Sequence, residues 1–400
     1  MIGRRLEAIQ NSLRDQGLDG WLFYDFRGSD PLAHRILGLA PGELSTRRWY
    51  YFVRARGAPV GLVSTVEPHR LDGLPGRKLA FLSWEEHRSR LAEILGPARR
   101  IAMQYSPENA IPYVSRVDAG TIELVRELGL EVVSSADLVQ RFEAVLAPAQ
   151  RESHLRAARA VREIVGEAFA HIARAALAAG RARGEPTEYG VQQFILERFA
   201  ARGLITSHPP VVAVNAHSAD PHYSPAPTKS APIRRGDFVL IDLWAREPAP
   251  EGVYGDITWV GFLGPGVPAR HREVFSVARR ARDRALTFIK SRVRKGRKIR
   301  GYEVDRVARR VIAEAGFGGF IRHRTGHSIG DEVHGSGANL DDLETHDERE
   351  LLAHTCFSVE PGIYLPGEFG VRTEVNVYLT GDDAVVTGEP RQKQVLCLLR

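Results

Sequence analysis

The chain has few of the features that mark secreted or membrane proteins. Cysteine occurs only twice in 400 residues, as Cys356 and Cys397, and two cysteines cannot form a disulfide framework. No stretch approaches the ~20 consecutive apolar residues that a membrane-spanning helix needs. The first residues, "MIGRRLEAIQNSLRDQ", form an amphipathic helical pattern and lack the apolar core of a secretory signal. These absences predict a protein of the reducing cytoplasm.

The chain has an excess of basic residues, with a formal net charge of +6. Lys and Arg are mixed with Glu and Asp along helical patterns such as "RESHLRAARAVREIVGE", which is typical of solvated helix faces. The densest basic run, "KSRVRKGRKIRG" at 290–301, lies between two helical patterns and is interpreted as a solvated linker. The charge pattern therefore predicts no nucleic-acid partner, and the lack of apolar runs predicts no membrane partner.

The length of the chain suggests two domains. Residues 1–147 alternate helical patterns with strands such as "GWLFYDF" and a strand pair in "RRWYYFVRARGAPVGLVS", with "RGAP" as its turn. This alternation predicts a layered α/β domain with the aromatic run 49–52 in its sheet. The segment "LAPAQ" (146–150) is interpreted as the boundary, which gives domains of 1–147 and 148–400.

The second domain repeats one order of elements. A helix is predicted from about 151 to Gly180, and a second helix begins after Thr187 as N-cap. Strand patterns then fill 205–263. Helices are predicted again at about 268–291 and 301–315, and strand patterns such as "CFSVEPGIYL" and "GVRTEVNVYLT" fill 320–400. The order helix–helix–strands therefore occurs twice.

Four acidic residues recur at the offset that relates these two copies. Asp242 and Asp256 are 14 residues apart. Glu360 and Glu374 are also 14 residues apart, and each follows its counterpart by 118 residues (360 − 242 and 374 − 256). The helical patterns themselves are offset by about 117 residues (268 − 151). We infer two similar halves around a pseudo-twofold axis, each contributing two carboxylates to a shared centre.

These acids lie on or beside apolar strand patterns, where an unpaired carboxylate is costly to desolvate. A salt bridge explains one such acid, but four related acids require shared positive charge. Arginine pairing would leave unexplained the glycine-rich segment "HRTGHSIGDEVHG" (323–335), which gathers three of the 14 histidines. Carboxylates with an imidazole suit Mn2+, Co2+ or Zn2+. Two such ions about 3.5–4 Å apart can hold a bridging hydroxide and polarise a carbonyl, which is hydrolytic chemistry.

The motifs "DLW…YGDIT", "HRTGHSIGDEVH", "EPGIY" and "GVRTE" resemble the metal-binding signatures of the pita-bread metallopeptidases. The N-terminal domain makes the chain most similar to the prolidase/aminopeptidase P/creatinase branch. The resemblance covers 151–400 in motifs and 1–145 in organisation only. It implies an α+β fold in which a pita-bread domain with a pseudo-twofold helix–helix–strands duplication follows a smaller α/β creatinase-like domain. It also implies a homodimer.

Carried over by position, the resemblance implies two metal ions, with Mn2+ expected and Co2+ or Zn2+ as alternatives. Asp256 and Glu374 would bridge both ions, and Asp242 would chelate one. His327 and Glu360 would bind the other ion, and Glu360 would also handle the proton of the nucleophilic water. Taken singly, each residue has an alternative reading as a paired core acid or a loop histidine.

The resemblance also implies contacts with the substrate. His222, in "DPHYSP", would line the pocket and hold a peptide carboxylate, and His323 would contact the proline side. His334 would hydrogen-bond the scissile carbonyl and stabilise the oxyanion. Arg372 would reach the substrate or a partner within the site. The structural alternatives are support of a turn or loop for the histidines and an exposed strand position for Arg372.

Several positions depart from the family pattern. The segment between Asp242 and Asp256 is longer by "REPAPEG", which predicts a longer loop near the site. In "VRTEV", Thr373 stands where isoleucine is usual, and Val375 stands where an acid is usual. The loss of that acid predicts a shift in metal affinity or preference. The acidic segment "DDLETHDERELL" (341–352) predicts an exposed loop.

The leading hypothesis is a metallopeptidase that hydrolyses Xaa–Pro dipeptides through a metal-bridging hydroxide, as a prolidase does. Aminopeptidase P activity on longer peptides is the near alternative, because no motif reports whether a loop closes the prime side. A creatinase-like C–N hydrolase or an inactive binding module is also considered. Both predict lost ligands, whereas this chain retains all five.

Overall fold

The computed structural model describes residues 2–40, 45–178 and 185–399. The chain divides into two compact units, Met1–Glu143 and Ala144–Arg400. The boundary expected from the sequence, between 147 and 148, is four residues further along the chain, where the first long helix of the second unit begins. Across the described ranges, no helix combines the length and apolar character needed to cross a membrane.

The first unit is an α/β layer around one six-stranded sheet. Its helices are α1 (Ile2–Asp15), α2 (Pro31–Leu37), α3 (Trp84–Leu95), α4 (Ala119–Glu127) and α5 (Ala136–Glu143). Its strands are β1 (Gly20–Asp25), β2 (Trp49–Arg54), β3 (Val60–Ser64), β4 (Arg77–Phe81), β5 (Arg100–Met103) and β6 (Glu131–Ser134). The sheet order is β4-β3-β2-β1-β5-β6. The aromatic run of β2 is fully buried in this sheet, as predicted.

Most elements of this unit match the sequence pattern, including the antiparallel pair β2–β3 across "RGAP". Three elements were missed, namely α2, β4 and α5. Helix α2 has only seven residues and depends on Asp30, whose side chain accepts the hydrogen bond of Ala33 N. Strand β4 is largely solvent-accessible, so it shows no apolar alternation.

The second unit contains two helix pairs and three small sheets. Its helices are α6 (Pro148–Ala178), α7 (Glu188–Ala201), α8 (Ala269–Val293) and α9 (Gly301–Glu314). Its strands are β7 (Val211–Val214), β8 (Phe238–Ala245), β9 (Gly255–Phe262), β10 (Ser328–Ile329), β11 (Cys356–Val359), β12 (Gly362–Leu365), β13 (Phe369–Arg372), β14 (Val375–Leu379), β15 (Ala384–Thr387) and β16 (Leu396–Cys397). The sheets are β16-β9-β8-β7, β10-β11-β14-β15 and the hairpin β12-β13.

The helix limits largely follow the predictions. Thr187 caps α7, because its Oγ1 accepts a hydrogen bond from Gly190 N at 3.0 Å. The predicted end of the preceding helix at Gly180 lies outside the described residues. The basic run 290–301 is not wholly a linker, since α8 continues to Val293. Its first residues stay helical because Ile289 and Val293 pack against the core of this half.

The two longest strand patterns are each broken at a glutamate. "CFSVEPGIYL" forms β11 and β12 with Glu360 and Pro361 between them. "GVRTEVNVYLT" forms β13 and β14 with Thr373 and Glu374 between them. Proline has no N–H to donate to a sheet ladder, and the chain leaves the four-stranded sheet here to form the hairpin β12–β13. Both glutamates therefore lie at strand ends.

The prediction of an exposed loop at 341–352 is wrong for two of its acids. Asp341 and Asp347 are fully buried. Asp341 accepts hydrogen bonds from the backbone N–H groups of the three residues 343–345. Asp347 accepts from Asn339 N and from the backbone and guanidinium of Arg349. A carboxylate that accepts several hydrogen bonds can be buried despite its charge.

Candidate metal centre

Two adjacent strands place the first pair of acids on one face. In the β8–β9 ladder, Asp242 lies opposite Thr258. Directly opposed residues share a face, and so do residues two apart on one strand. Asp256, two residues before Thr258, therefore faces the same side as Asp242. Each of the stretches "VLIDLW" and "YGDITWV" contains one aspartate, and the β8–β9 register is the reason both carboxylates point to one place.

Three further residues come from the second half of the unit. His327 immediately precedes β10, Glu360 follows β11, and Glu374 precedes β14. The His327 N–H donates to Ser358 Oγ at 2.9 Å, and the Glu360 N–H donates to the Thr325 carbonyl at 2.7 Å. These bonds fix the histidine segment alongside β11.

Hydrogen bonds also join the two halves at the centre. The Asp256 N–H donates to Asn376 Oδ1 at 2.9 Å, and the Glu374 N–H donates to the Thr258 carbonyl at 3.3 Å. The Thr258 hydroxyl lies 2.9 Å from Asp242 Oδ1 and 2.8 Å from Glu374 Oε2. Since a hydroxyl has one proton, it can serve only one of these two oxygens at a time.

The five side chains that the sequence singled out as ligands lie together. One ligand atom from each of Asp256, His327 and Glu374 lies within 4.8 Å of the others. His327 Nε2 is 3.4 Å from Asp256 Oδ2 and 3.2 Å from Glu360 Oε1. Asp242 joins the group through Thr258, and every one of these carboxylates except that of Glu360 belongs to a buried residue. The cluster therefore concentrates negative charge in a largely buried site.

This crowding shifts the pKa values of the acids. Burial, opposed by His327 and reinforced by neighbouring carboxylates, raises the pKa of Asp256 to about 7. Burial and the same neighbours raise the pKa of Glu374 well above its ordinary value. Burial also acts to raise the pKa of Glu360, but the hydrogen bond and charge of His327 outweigh it and lower that pKa. Each raised pKa indicates that the nearby positive charge is too small to stabilise the ionised carboxylate.

The residues present fit divalent cations. Asp256 Oδ1 and Glu374 Oε1 are buried and have no hydrogen-bond partner within the described part of the chain. His327 Nδ1 lies 3.1 Å from the Ser328 carbonyl, to which it donates, so Nε2 faces the acids. A backbone acceptor of this kind orients metal-binding histidines. Oxygen ligands with one imidazole suit Mn2+, Co2+ or Zn2+.

Arg372 is directed into the cluster. It is almost fully buried, and its Nη2 contacts Asp242. Its Nε donates to Thr258 Oγ1 at 3.0 Å, and its Nη1 donates to the Tyr364 hydroxyl at 2.9 Å. The Tyr364 hydroxyl in turn lies 2.6 Å from His323 Nε2. In this arrangement the guanidinium binds partners within the site, and it supplies one positive charge to Asp242.

The predicted substrate histidines border the same cavity, which has a volume of about 1230 Å³. His222 and His334 are exposed to it. The His334 ring stands edge-on to the His327 ring, with centroids 4.4 Å apart. The charge of His327, together with burial, lowers the pKa of His334 to about 3. His323 also borders the cavity, but both of its ring nitrogens are engaged, by Tyr364 and by the Arg324 carbonyl.

The glycines of the histidine segment have different roles. A Cβ added at Gly326 would lie 2.1 Å from the Ser358 carbonyl oxygen, so only glycine permits this close approach to β11. A Cβ at Gly330 would meet nothing within 4 Å. Gly326 therefore serves close packing of the segment on which His327 lies, and no steric need explains Gly330.

The residues that depart from the family pattern lie close to the site or beside its strands. The longer loop 246–254 joins β8 to β9 and places Arg246 and Tyr254 on the cavity wall, as predicted. Thr373 is fully buried, and its hydroxyl accepts a hydrogen bond from Arg282 Nη1 at 2.7 Å. Val375 is buried among apolar side chains at the start of β14.

Sequence reasoning did not identify His154 on α6. Its Nδ1 donates to the Tyr254 carbonyl at 2.7 Å, and its Nε2 lies 2.8 Å from Thr387 Oγ1 and 3.3 Å from Cys356 Sγ. The residue is fully buried, and burial lowers the pKa of its ring to about 4. It anchors the backbone two residues before Asp256. Its partners are 100 or more residues away, so no local pattern indicates it.

The depressed pKa of His154 predicts an acid-sensitive fold. Only the unfolded state binds a proton there between pH 6.5 and about 4, so the free energy of unfolding falls as the pH drops through that window. The full shift corresponds to roughly 3 kcal/mol. Denaturant titrations of the metal-free protein at about pH 7 and pH 4 measure the loss. The loss will be smaller in His154→Gln, and equal losses in both proteins would contradict this assignment.

Known proteins resemble the chain in sequence. Residues 153–381, more than half of the chain, match the family described as Metallopeptidase family M24. An Xaa-Pro dipeptidase of Lactobacillus delbrueckii subsp. lactis is 34% identical over 177 residues, which are 44% of this chain and 44% of that protein. A probable dipeptidase PepE of Mycobacterium tuberculosis is 30% identical over 264 residues, which are 66% of this chain and 64% of that protein. The chain thus matches less than two thirds of the length of these relatives.

Solved structures resemble it over the full length. The dipeptidase PepE of Mycobacterium ulcerans superposes with a TM-score of 0.73 at 23% identity, covering 100% of this chain and 98% of that chain. A prolidase from Thermococcus sibiricus gives 0.66 at 20% identity, covering 99% of each chain. These likenesses confirm the predicted two-part fold with its pita-bread domain. Together with the sequence match, they establish that the chain belongs to metallopeptidase family M24.

Proposed function

We propose that the chain is a dinuclear metal-dependent peptidase that hydrolyses Xaa–Pro bonds, with Xaa–Pro dipeptides as its substrates. The observation that carries this proposal is the convergence of Asp242, Asp256, His327, Glu360 and Glu374 in one cavity. Two relatives named Xaa-Pro dipeptidase support a dipeptidase. An aminopeptidase P activity is the second candidate, because one relative is named a putative Xaa-Pro aminopeptidase.

When bound, the two cations supply an acidified water as nucleophile and polarise the scissile carbonyl. Asp256 and Glu374 would hold both ions, Asp242 one of them, and His327 and Glu360 the other. Glu360 would accept the proton of the attacking water on its carboxylate, which Ser358 Oγ orients by donating to Oε1 at 2.9 Å. In the metal-free protein the hydrogen bond and charge of His327 lower the pKa of Glu360. In the metal-loaded protein a bound cation would keep this carboxylate ionised in the same way.

The histidines of the cavity act on the substrate. A neutral His334 ring can donate one N–H to the developing oxyanion without adding a positive charge beside the cations. His222 is exposed on the wall and would bind the carboxylate of the peptide. His323 would face the proline ring with its carbon edge, since both of its nitrogens are occupied.

The proposal extends to the metal, the oligomeric state, the cellular location and the partners. The donor set favours Mn2+, with Co2+ or Zn2+ as alternatives. A homodimer is expected from the resemblance to the prolidase branch, and a cytoplasmic location from the two isolated cysteines. No nucleic-acid or membrane partner is expected.

The first experiment measures release of the N-terminal alanine after chelation and reloading with Mn2+. The substrates are Ala–Pro, Ala–Pro–Ala and, as a control without proline, Ala–Ala. We expect cleavage of Ala–Pro alone, and none without metal. Cleavage of the first bond of Ala–Pro–Ala would assign an aminopeptidase P instead. If the protein binds metal and cleaves neither proline peptide, the peptidase proposal is wrong and a creatinase-like hydrolase becomes the better hypothesis.

A further inference from the structure

The segment that carries His222 has no regular strand of its own. Residues 214–231, here called the His222 loop, leave the end of β7 and include a short 3-10 helix at Asn215–Ala219. Pro221, His222, Tyr223 and Ser224 of this loop border the cavity. The position of His222 therefore depends on what holds the loop.

A single buried carboxylate, that of Glu188, accepts hydrogen bonds from four groups of the loop. Its Oε1 accepts from Val214 N at 2.8 Å and from His217 Nδ1 at 2.9 Å. Its Oε2 accepts from the Tyr223 hydroxyl at 2.5 Å and from Ala231 N at 2.7 Å. Glu188 is fully buried at the first turn of α7. The two ends of the loop and its middle are thus fixed to one side chain.

Neighbouring contacts strengthen this attachment. The backbone N–H of Glu188 donates to the Ala231 carbonyl at 3.0 Å. The His217 and Tyr223 rings stack with centroids 4.4 Å apart. At the far side of the loop, Ser218 Oγ accepts from Gly370 N at 2.8 Å. Gly370 lies on β13, two residues before Arg372, so the loop is also tied to the strand that enters the metal centre.

We propose that Glu188 is a positioning residue for substrate binding, which holds the His222 loop where His222 can reach the carboxylate of the peptide. This inference rests on the proposed function for the role of His222. Glu188 borders neither the cavity nor the cluster of acids, so it acts through the loop. It contributes to substrate affinity and leaves the chemistry at the metal centre unchanged.

Glutamine cannot replace Glu188 in this arrangement. Each carboxylate oxygen accepts from one backbone N–H, of Val214 or of Ala231. A glutamine amide has one oxygen and one NH2 group. In either orientation of that amide, its NH2 group faces a backbone N–H, and that buried donor loses its partner. Glu188→Gln therefore loosens the loop although the side chain keeps its size.

The test is steady-state kinetics of Glu188→Gln with Ala–Pro and Mn2+. We expect KM to rise about tenfold, with kcat changed by less than about threefold, because a uniform binding contribution is lost. In a His222→Ala background the same substitution will change KM by less than about twofold, because the two residues act on one contact. A proportional loss of kcat, or full additivity with His222→Ala, would overturn the proposal.

Asp347→Asn is the matched control, since Asp347 is equally buried and accepts from four donors, but its partners lie outside the cavity. We expect Asp347→Asn to lower thermal stability and leave KM unchanged. If it raised KM as much as Glu188→Gln does, the role of Glu188 would be a general structural one. Amide exchange of residues 214–231 tests the loop independently of any substrate. Faster exchange in Glu188→Gln supports the attachment even if the wild-type protein cleaves no Xaa–Pro peptide, and unchanged exchange contradicts it.

Discussion

Replacement of Glu374 by glutamine will abolish metal retention and peptide hydrolysis. Glutamine keeps the size of the side chain but removes its charge and replaces one ligand oxygen with an NH2 group. Mutation of a residue that only hydrogen-bonds to a metal ligand typically costs about 10–100-fold in metal affinity or activity. Loss of a proposed bridging ligand will cost more. Metal content after dialysis and the rate of Ala–Pro hydrolysis measure the two effects.

A carboxylate outside the cluster provides the control. Glu344 borders the same cavity, is exposed, and pairs with Arg324 at 3.5 Å. Glu344→Gln will retain its metal after dialysis. If Glu374→Gln holds as much metal as the wild type, Glu374 is not a ligand and the proposed centre is wrong.

Without metal, the same substitution will stabilise the protein. Burial and the nearby charges of Asp256, Glu360 and Asp242 raise the pKa of Glu374, so its ionised form is unfavourable in the fold. A raised folded-state pKa means that stability is lost as the pH rises above the ordinary pKa of the carboxyl. At neutral pH, metal-free Glu374→Gln will therefore melt at a higher temperature than metal-free wild type. A lower melting temperature would show that the carboxylate is already compensated within the fold.

The candidate ligands could be proposed from sequence because alternate residues of a strand face the same side of the sheet. Asp242 and Asp256 stand within apolar runs, and the spacing of 14 residues recurs for Glu360 and Glu374. These patterns are local or periodic, so a single chain suffices to find them. The sequence placed both glutamates on or beside strands, but it did not predict that each strand pattern breaks at its glutamate.

The residues that support the centre could not be found in this way. Glu188 bonds to groups 26 to 43 residues away, and His154 to groups 100 and 233 residues away. In the sequence both are ordinary polar residues of helical segments. Thr258 had a usable signal, since it follows Asp256 by two residues and therefore shares its face. The buried acids Asp341 and Asp347 were misjudged because turn hydrogen bonds, and not apolar neighbours, permit their burial.

Replacement of Arg372 by glutamine will destabilise the metal-free protein far more than the metal-loaded one. The guanidinium is the positive group that contacts Asp242, and it also bonds to Thr258 and Tyr364. Removing one partner of a buried ion pair typically costs about 3–5 kcal/mol, because the remaining charge is left unpaired. A divalent cation bound by Asp242 would replace the missing charge. Mn2+ will therefore raise the melting temperature of the variant more than that of the wild type.

Arg349 supplies the comparison for this prediction. It is a buried arginine that pairs with Asp347 at 2.7 Å and lies outside the cavity. Arg349→Gln will also destabilise the protein, but to the same extent with and without Mn2+. If Arg372→Gln likewise responds equally in both states, Asp242 does not bind metal. If Arg372→Gln loses stability only in the metal-free state, the guanidinium and the cation neutralise the same carboxylate, and Asp242 is a ligand.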